Sequence, residues 1–85
     1  MAAVQLRNFA AAREAAGKSS DAFDAGTIAE LLLAAAQRYG PQWQAVLDSS
    51  RVWLNGDEPV MGLATSLRDG DEVAVLPPVS GGSDV

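Results

Sequence analysis

The sequence has no cysteine and no histidine among its 85 residues. The first absence excludes a disulfide framework and a thiolate nucleophile; the second removes the imidazole base and, with cysteine, the ordinary zinc ligands. Basic residues are also few, six against eleven acidic ones, for a formal charge of −5. That balance repels phosphate backbones and anionic lipid, so no nucleic acid and no membrane is expected as a partner, while a protein with a basic docking face is. No apolar run reaches the roughly 18 residues of a membrane span. Arg7, Arg13 and Glu14 interrupt the Ala-rich opening where a secretory signal would be uniformly apolar, so the expected location is the cytoplasm. What is present is globular in composition, with 48% hydrophobic and 20% charged residues in a length that suits one core.

Val4-Gln5-Leu6-Arg7-Asn8-Phe9 alternates apolar and polar residues for two cycles before Phe9 falls on the other face, which predicts a strand buried on one side. Ala10 to Ala16 reads either as a short helical turn stopped by Gly17 or as an irregular loop. Ser20 to Phe23 is a second strand, closed by Asp24-Ala25-Gly26. Thr27-Ile28-Ala29-Glu30 has the form of a capping box, in which the Thr27 hydroxyl accepts from the Glu30 amide and the Glu30 carboxylate reaches back to the Thr27 N–H. Ile28, Leu31, Leu32, Ala35 and Tyr39 then form one helical stripe, ended by Gly40, and Pro41 opens a shorter helix to Leu47.

Arg51-Val52-Trp53-Leu54 is strand-like, and Asn55-Gly56 behind it is the strongest turn signal in the chain. Glu58-Pro59-Val60 is expected to continue as a brief edge segment. Asp69-Gly70-Asp71 turns into Glu72-Val73-Ala74-Val75-Leu76, whose nearly continuous apolar run predicts a central strand covered on both faces. One long helix over a mixed sheet, with the first and last strands side by side in the centre, gives the α+β class. Residues 1–76 would form the domain and 77–85 an extended arm.

The arm, Pro77-Pro78-Val79-Ser80-Gly81-Gly82, is held extended by its prolines and carries no side chains at its glycines, a form that can thread a narrow channel in another protein. Leu76, Pro77, Pro78, Val79 and Ser80 at its base are assigned to a partner interface. Phe9 reads first as a large aromatic completing the core and second as a partner contact. Trp53, flanked by Arg51 and Asn55, reads equally as core or as a docking hot spot. Asp57, Glu58, Asp69, Asp71 and Glu72 sit in turns, where carboxylates serve local hydrogen bonding; their expected further role is to complement a basic partner, not catalysis.

Asn8-Phe9-Ala10 with Arg13-Glu14-Ala15-Ala16-Gly17, the helix start Thr27-Ile28-Ala29-Glu30-Leu31-Leu32, then Val52-Trp53-Leu54-Asn55-Gly56, Leu67-Arg68-Asp69-Gly70-Asp71-Glu72-Val73 and Pro77-Pro78-Val79-Ser80-Gly81-Gly82 follow one another in a familiar order. On these pieces the chain resembles the MoaD/ThiS family of ubiquitin-like sulfur carriers, and within it the small subunits of molybdopterin synthase. The resemblance implies a β-grasp fold. It also implies an adenylating, ubiquitin-activating-like enzyme that uses ATP and Mg on the second glycine, and a desulfurase or rhodanese-type sulfur donor that converts the adenylate to a thiocarboxylate. The large subunit of molybdopterin synthase would receive that sulfur for molybdenum cofactor. By position, Gly82 would carry the reactive carbonyl and Gly81 would give clearance beside it, with no cofactor bound by the chain itself.

Ser83-Asp84-Val85 follow Gly82 and displace the α-carboxylate by roughly 10 Å, so the resemblance further implies a processing protease. Other readings stay open: a carrier for thiamine, cysteine or secondary-metabolite synthesis, a modifier joined through Gly82 to lysines, or a ubiquitin-like interaction module with an inert tail.

Overall fold

Alternation in the first strand sets the sheet. β1 (Ala2–Asn8) turns Ala2, Val4, Leu6 and Asn8 inward and Ala3, Gln5 and Arg7 to the other face. The computed structural model describes residues 1–78. β2 (Ser20–Ala25) lies antiparallel to β1, with Phe23 opposite Val4. On the other side β4 (Glu72–Leu76) runs parallel to β1, with Val73 opposite Leu6 and Val75 opposite Asn8. β3 (Arg51–Leu54) pairs antiparallel with β4 and completes a four-stranded sheet in the order β2-β1-β4-β3. The first and last strands are thus central, as expected, and β4 ends at the edge of the described chain.

Three helices and a 3-10 turn (Gly62–Ala64) supply the connections. α1 (Ala10–Ala16) is helical and ends on Gly17 in the left-handed region, with φ 77°. α2 (Ile28–Tyr39) buries Ile28, Leu31, Leu32 and Ala35, the predicted stripe, and α3 (Pro41–Leu47) buries Trp43. These meet Leu6, Val73 and Val75 in a core on one side of the sheet. No helix among the described residues is long and apolar enough to cross a membrane.

The capping box forms by half. Thr27 Oγ1 accepts from the Glu30 N–H at 3.2 Å, but Glu30 Oε1 accepts from the Gly26 N–H at 2.8 Å and not from Thr27. A Cβ at residue 26 would lie 3.0 Å from that oxygen, a tight contact that the flexible Glu30 side chain would relieve by shifting.

Three expectations are corrected. Phe9 is not the end of a strand completing the core: it is the N-cap of α1 and 39% exposed, because Asn8 takes the last inward position and the chain turns at Ala10, φ 49°. Glu58-Pro59-Val60 is no strand. Asp57 exchanges both backbone hydrogen bonds with Leu54, at 2.8 and 3.0 Å, and Pro59, lacking an N–H, cannot extend the ladder. β4 is covered on one face only: Val73 and Val75 are fully buried, whereas Glu72, Ala74 and Leu76 face away from the helices.

At the other end of the sheet, Asp21 gathers a small polar cluster. Its Oδ2 accepts from the Tyr39 hydroxyl at 2.8 Å and pairs with Arg38 at 3.1 Å, and its Oδ1 accepts from the Ala22 N–H at 2.9 Å. Arg38 also donates to Ala22 O at 3.1 Å and lies 3.9 Å over the Phe23 ring. Burial pushes the Asp21 carboxyl up, but the bonds from Tyr39, Arg38 and Ala22 outweigh it and hold the group below its ordinary value. Burial, then the bond to Asp21, pushes the Tyr39 hydroxyl up to about 12.

Candidate functional site: the open sheet face at the root of the arm

The face of the sheet without helices divides into two halves. On β2 and β1 it carries small and polar residues, among them Ala3, Ala22, Asp24 and a Ser20 hydroxyl that donates to Gln5 at 2.9 Å. On β4 and β3 the register brings Ala74 beside Trp53 and Leu76 beside Arg51. Trp53 is half-buried and stands between two shallow grooves. Arg51, Leu76, Pro77 and Pro78 line one; Phe9, Gly56, Ala74 and Leu76 line the other. Five residues expected to meet a partner, Phe9, Trp53, Leu76, Pro77 and Pro78, are therefore brought onto one surface. Val79, Ser80, Gly81 and Gly82 lie outside the described residues.

Several devices hold this surface in place. The Phe9 N–H donates to Val75 O at 3.2 Å, fixing Phe9 against the end of β4. Beneath it, Asn8 is 2% exposed and receives the Trp43 Nε1–H at 3.0 Å while its own Nδ2 donates to Lys18 O at 3.2 Å, so two buried polar side chains satisfy each other. Asn55 and Gly56, with φ of 51° and 87°, make the tight left-handed turn that brings Asp57 back onto Leu54 at the end of β3. The Asn55 side chain then grips β4, donating to Asp71 Oδ1 at 3.0 Å and accepting from the Glu72 N–H at 2.9 Å. The bond from Asn55, reinforced by the Arg68 N–H, holds the Asp71 carboxyl below its ordinary value.

Asn55 is thus a turn fastener and not part of the docking surface beside Trp53. The turn carboxylates are likewise engaged within the molecule. Asp69 accepts from the Ala3 N–H at 2.8 Å, Asp71 from the Arg68 N–H at 2.9 Å, and Glu72 pairs with Arg7 at 3.2 Å; Asp57 and Glu58 are exposed. Arg7 in turn sits 5.6 Å over the Phe9 ring, giving the apolar floor a charged border. Reasoning from sequence missed Ala74 and Gly56 as floor and Asn8 with Trp43 as support. The available signals were a polar residue at the next inward position after Val4 and Leu6, and the helical spacing of Tyr39 and Trp43, whose rings pack 5.4 Å apart.

An apolar floor of this kind offers contact area, and the arm leaves from its margin. The ThiS family model matches residues 6–82. The chain is 36% identical to the molybdopterin synthase sulfur carrier subunit of Chlamydomonas reinhardtii, over 93% of this chain and 98% of that one. With the same coverage it is 37% identical to small archaeal modifier protein 3 of Haloferax volcanii. The solution structure of small archaeal modifier protein 1 from Methanosarcina acetivorans superposes with a TM-score of 0.85 at 33% identity, covering 96% of this chain and 98% of that chain.

Proposed function

The chain belongs to the MoaD/ThiS family of ubiquitin-like sulfur carriers and has the ubiquitin-like β-grasp fold, and from that premise we propose that its Gly82 carboxylate, freed by cleavage of the Gly82–Ser83 bond, is the group that carries sulfur. An adenylating enzyme of the ubiquitin-activating kind uses ATP and Mg to form the Gly82 acyl-adenylate. The persulfide of a desulfurase or rhodanese-type donor then displaces AMP to give an acyl disulfide, and a second thiol of a partner protein reduces that bond, leaving the Gly82 thiocarboxylate and a disulfide on the partner. The destination is the large subunit of molybdopterin synthase, where the sulfur enters the dithiolene of molybdenum cofactor. The chain needs no base or metal of its own for this, since the partners supply the electrophile and the activation.

The observation that supports this reading is the continuity of the apolar face, from Trp53 and Leu76 into Pro77 and Pro78. A partner seated on that floor receives the arm from its margin, stiffened by two prolines and narrowed by Gly81 and Gly82. The name of the Chlamydomonas relative points the same way. A second reading, a modifier joined through Gly82 to lysines of other proteins, is favoured by the equal likeness to the Haloferax modifier protein.

The test is the intact mass of the protein isolated from its own cells without denaturing thiols. Loss of Ser83 to Val85 with one oxygen exchanged for sulfur is the expected result. An untrimmed, unmodified mass during growth that demands molybdenum cofactor overturns it. A deletion strain separates the two readings: loss of molybdoenzyme activity marks the carrier, and loss of a ladder of conjugates marks the modifier. In vitro, the adenylating enzyme should activate a chain ending at Gly82 and leave the chain through Val85 untouched; equal rates sink the processing step.

A further inference from the structure

The helical side of the sheet carries an apolar surface that sulfur carriage does not use. A groove runs between α2, α3 and the 3-10 turn down to β3, lined by Leu32, Leu33, Leu47, Val52 and Leu63 with Asp48 beside them. Leu33 is 62% and Leu63 52% exposed, large aliphatic side chains that the fold leaves open to water. Leu33 lies outside the inward stripe of α2, so nothing in the core calls for leucine there. An 85-residue domain with one such patch on its open face has little reason to expose a second unless something covers it. Val52 and Trp53 are successive residues of β3 and point to opposite faces, so the two surfaces lie back to back across the same edge strand.

Charge indicates what covers the groove. None of the six basic residues lines it, whereas Asp48 does, and Glu30 stands three residues before Leu33, its neighbour on the surface of α2. A second copy of this chain would bring another −5 of like charge to a groove whose one charged lining residue is Asp48. We propose that this groove is a second docking site, for a partner protein that presents an aliphatic side chain flanked by lysine or arginine. Because it faces away from Trp53, one partner can hold the carrier here while another occupies the open face, so the chain is passed on without being released. The site does not depend on the chemistry assigned to Gly82.

The probe is a helical peptide with leucines along one face and lysines beside them, titrated into the isotope-labelled full chain and followed by amide chemical shifts; a second peptide has every lysine replaced by glutamate. Shifts should centre on Leu33, Leu47, Val52 and Leu63 with the basic peptide, vanish with the acidic one, and leave Phe9, Trp53 and Ala74 unmoved. Replacing Leu33→Asp together with Leu63→Asp should weaken binding by about tenfold or more, with unchanged thermal unfolding because both side chains already face water. Asp48→Asn should weaken it by about two- to threefold. That substitution keeps an acceptor for the 2.9 Å bond from Gln44, and so separates charge from structure. Shifts centred on the open face, shifts scattered over every acidic residue, or binding indifferent to the leucine substitutions would each overturn the proposal. Concentration-dependent broadening at the groove without peptide would overturn it too, in favour of a second copy.

Discussion

The two faces of β3 and β4 both carry large apolar residues and are opposite in fate. On one, Val73 and Val75 are sealed under the helices against Leu6, Ile28 and Trp43. On the other, Ala74, Leu76 and Trp53 stay partly open, with the exposed Phe9 beside them. The covered face closes its polar accounts inside the molecule: among the described residues no buried side-chain nitrogen or oxygen lacks a partner. The open face ends in shallow grooves lined by Trp53, Leu76 and the prolines. Apolar residue types alone thus do not tell whether the chain's own helices cover a face; the remaining elements decide it.

The sharpest way to break that contrast is to empty the covered face. Trp43→Ala should cost about 3–5 kcal/mol in urea unfolding, since it opens a large cavity and strips Asn8 of its buried donor. A loss under about 1 kcal/mol would mean that the covered face does not carry the stability. Next comes Trp53→Ala, which should weaken binding to the large subunit or the adenylating enzyme by about 2 kcal/mol, roughly thirtyfold, while stability falls by less than about 1 kcal/mol. Calorimetry of both quantities reads the split, and the reverse pattern would assign Trp53 to the core. Gly56→Ala, at φ 87°, should cost about 1 kcal/mol and leave the grooves otherwise intact.

The smallest effect is an acid limb. Asp21, where burial is outweighed by its hydrogen bonds, and Asp71, held down by Asn55, both sit below their ordinary value of 3.8 when folded. Their contribution is full above that value and is lost as pH falls through the lower folded ones, so stability should hold from neutrality to about pH 5 and drop below about pH 4. Asp21→Asn should flatten part of that drop, as followed by thermal unfolding across pH.

Much of the fold was legible because local signals agreed with it. The alternation of Val4 and Leu6, the inward stripe of α2 and the Asn55-Gly56 turn each formed as read, since each is decided by residues a few positions apart. The misreadings have separate causes. Phe9 and the run from Glu72 to Leu76 look buried because an apolar face left open and a face covered by helices can carry the same residue types. Glu30 found the Gly26 N–H and not that of Thr27, a partner one residue outside the motif. Trp43 was read only as a helix residue; its tie to Asn8 spans 35 positions and no local pattern announces it. Of the site, the root of the arm was visible in its prolines, whereas the floor beneath it emerged only from the register of β3 on β4.

The Asp21 cluster has a colloidal meaning. β2 is an edge strand, and the alternation of its ladder with β1 leaves the N–H and C=O of Ala22 pointing outward. Such groups are a template on which another chain could grow a sheet. Here Asp21 takes the N–H and Arg38 takes the carbonyl, so at Ala22 the strand offers an intruder neither donor nor acceptor. The middle of the edge is thereby closed to a strand from another molecule.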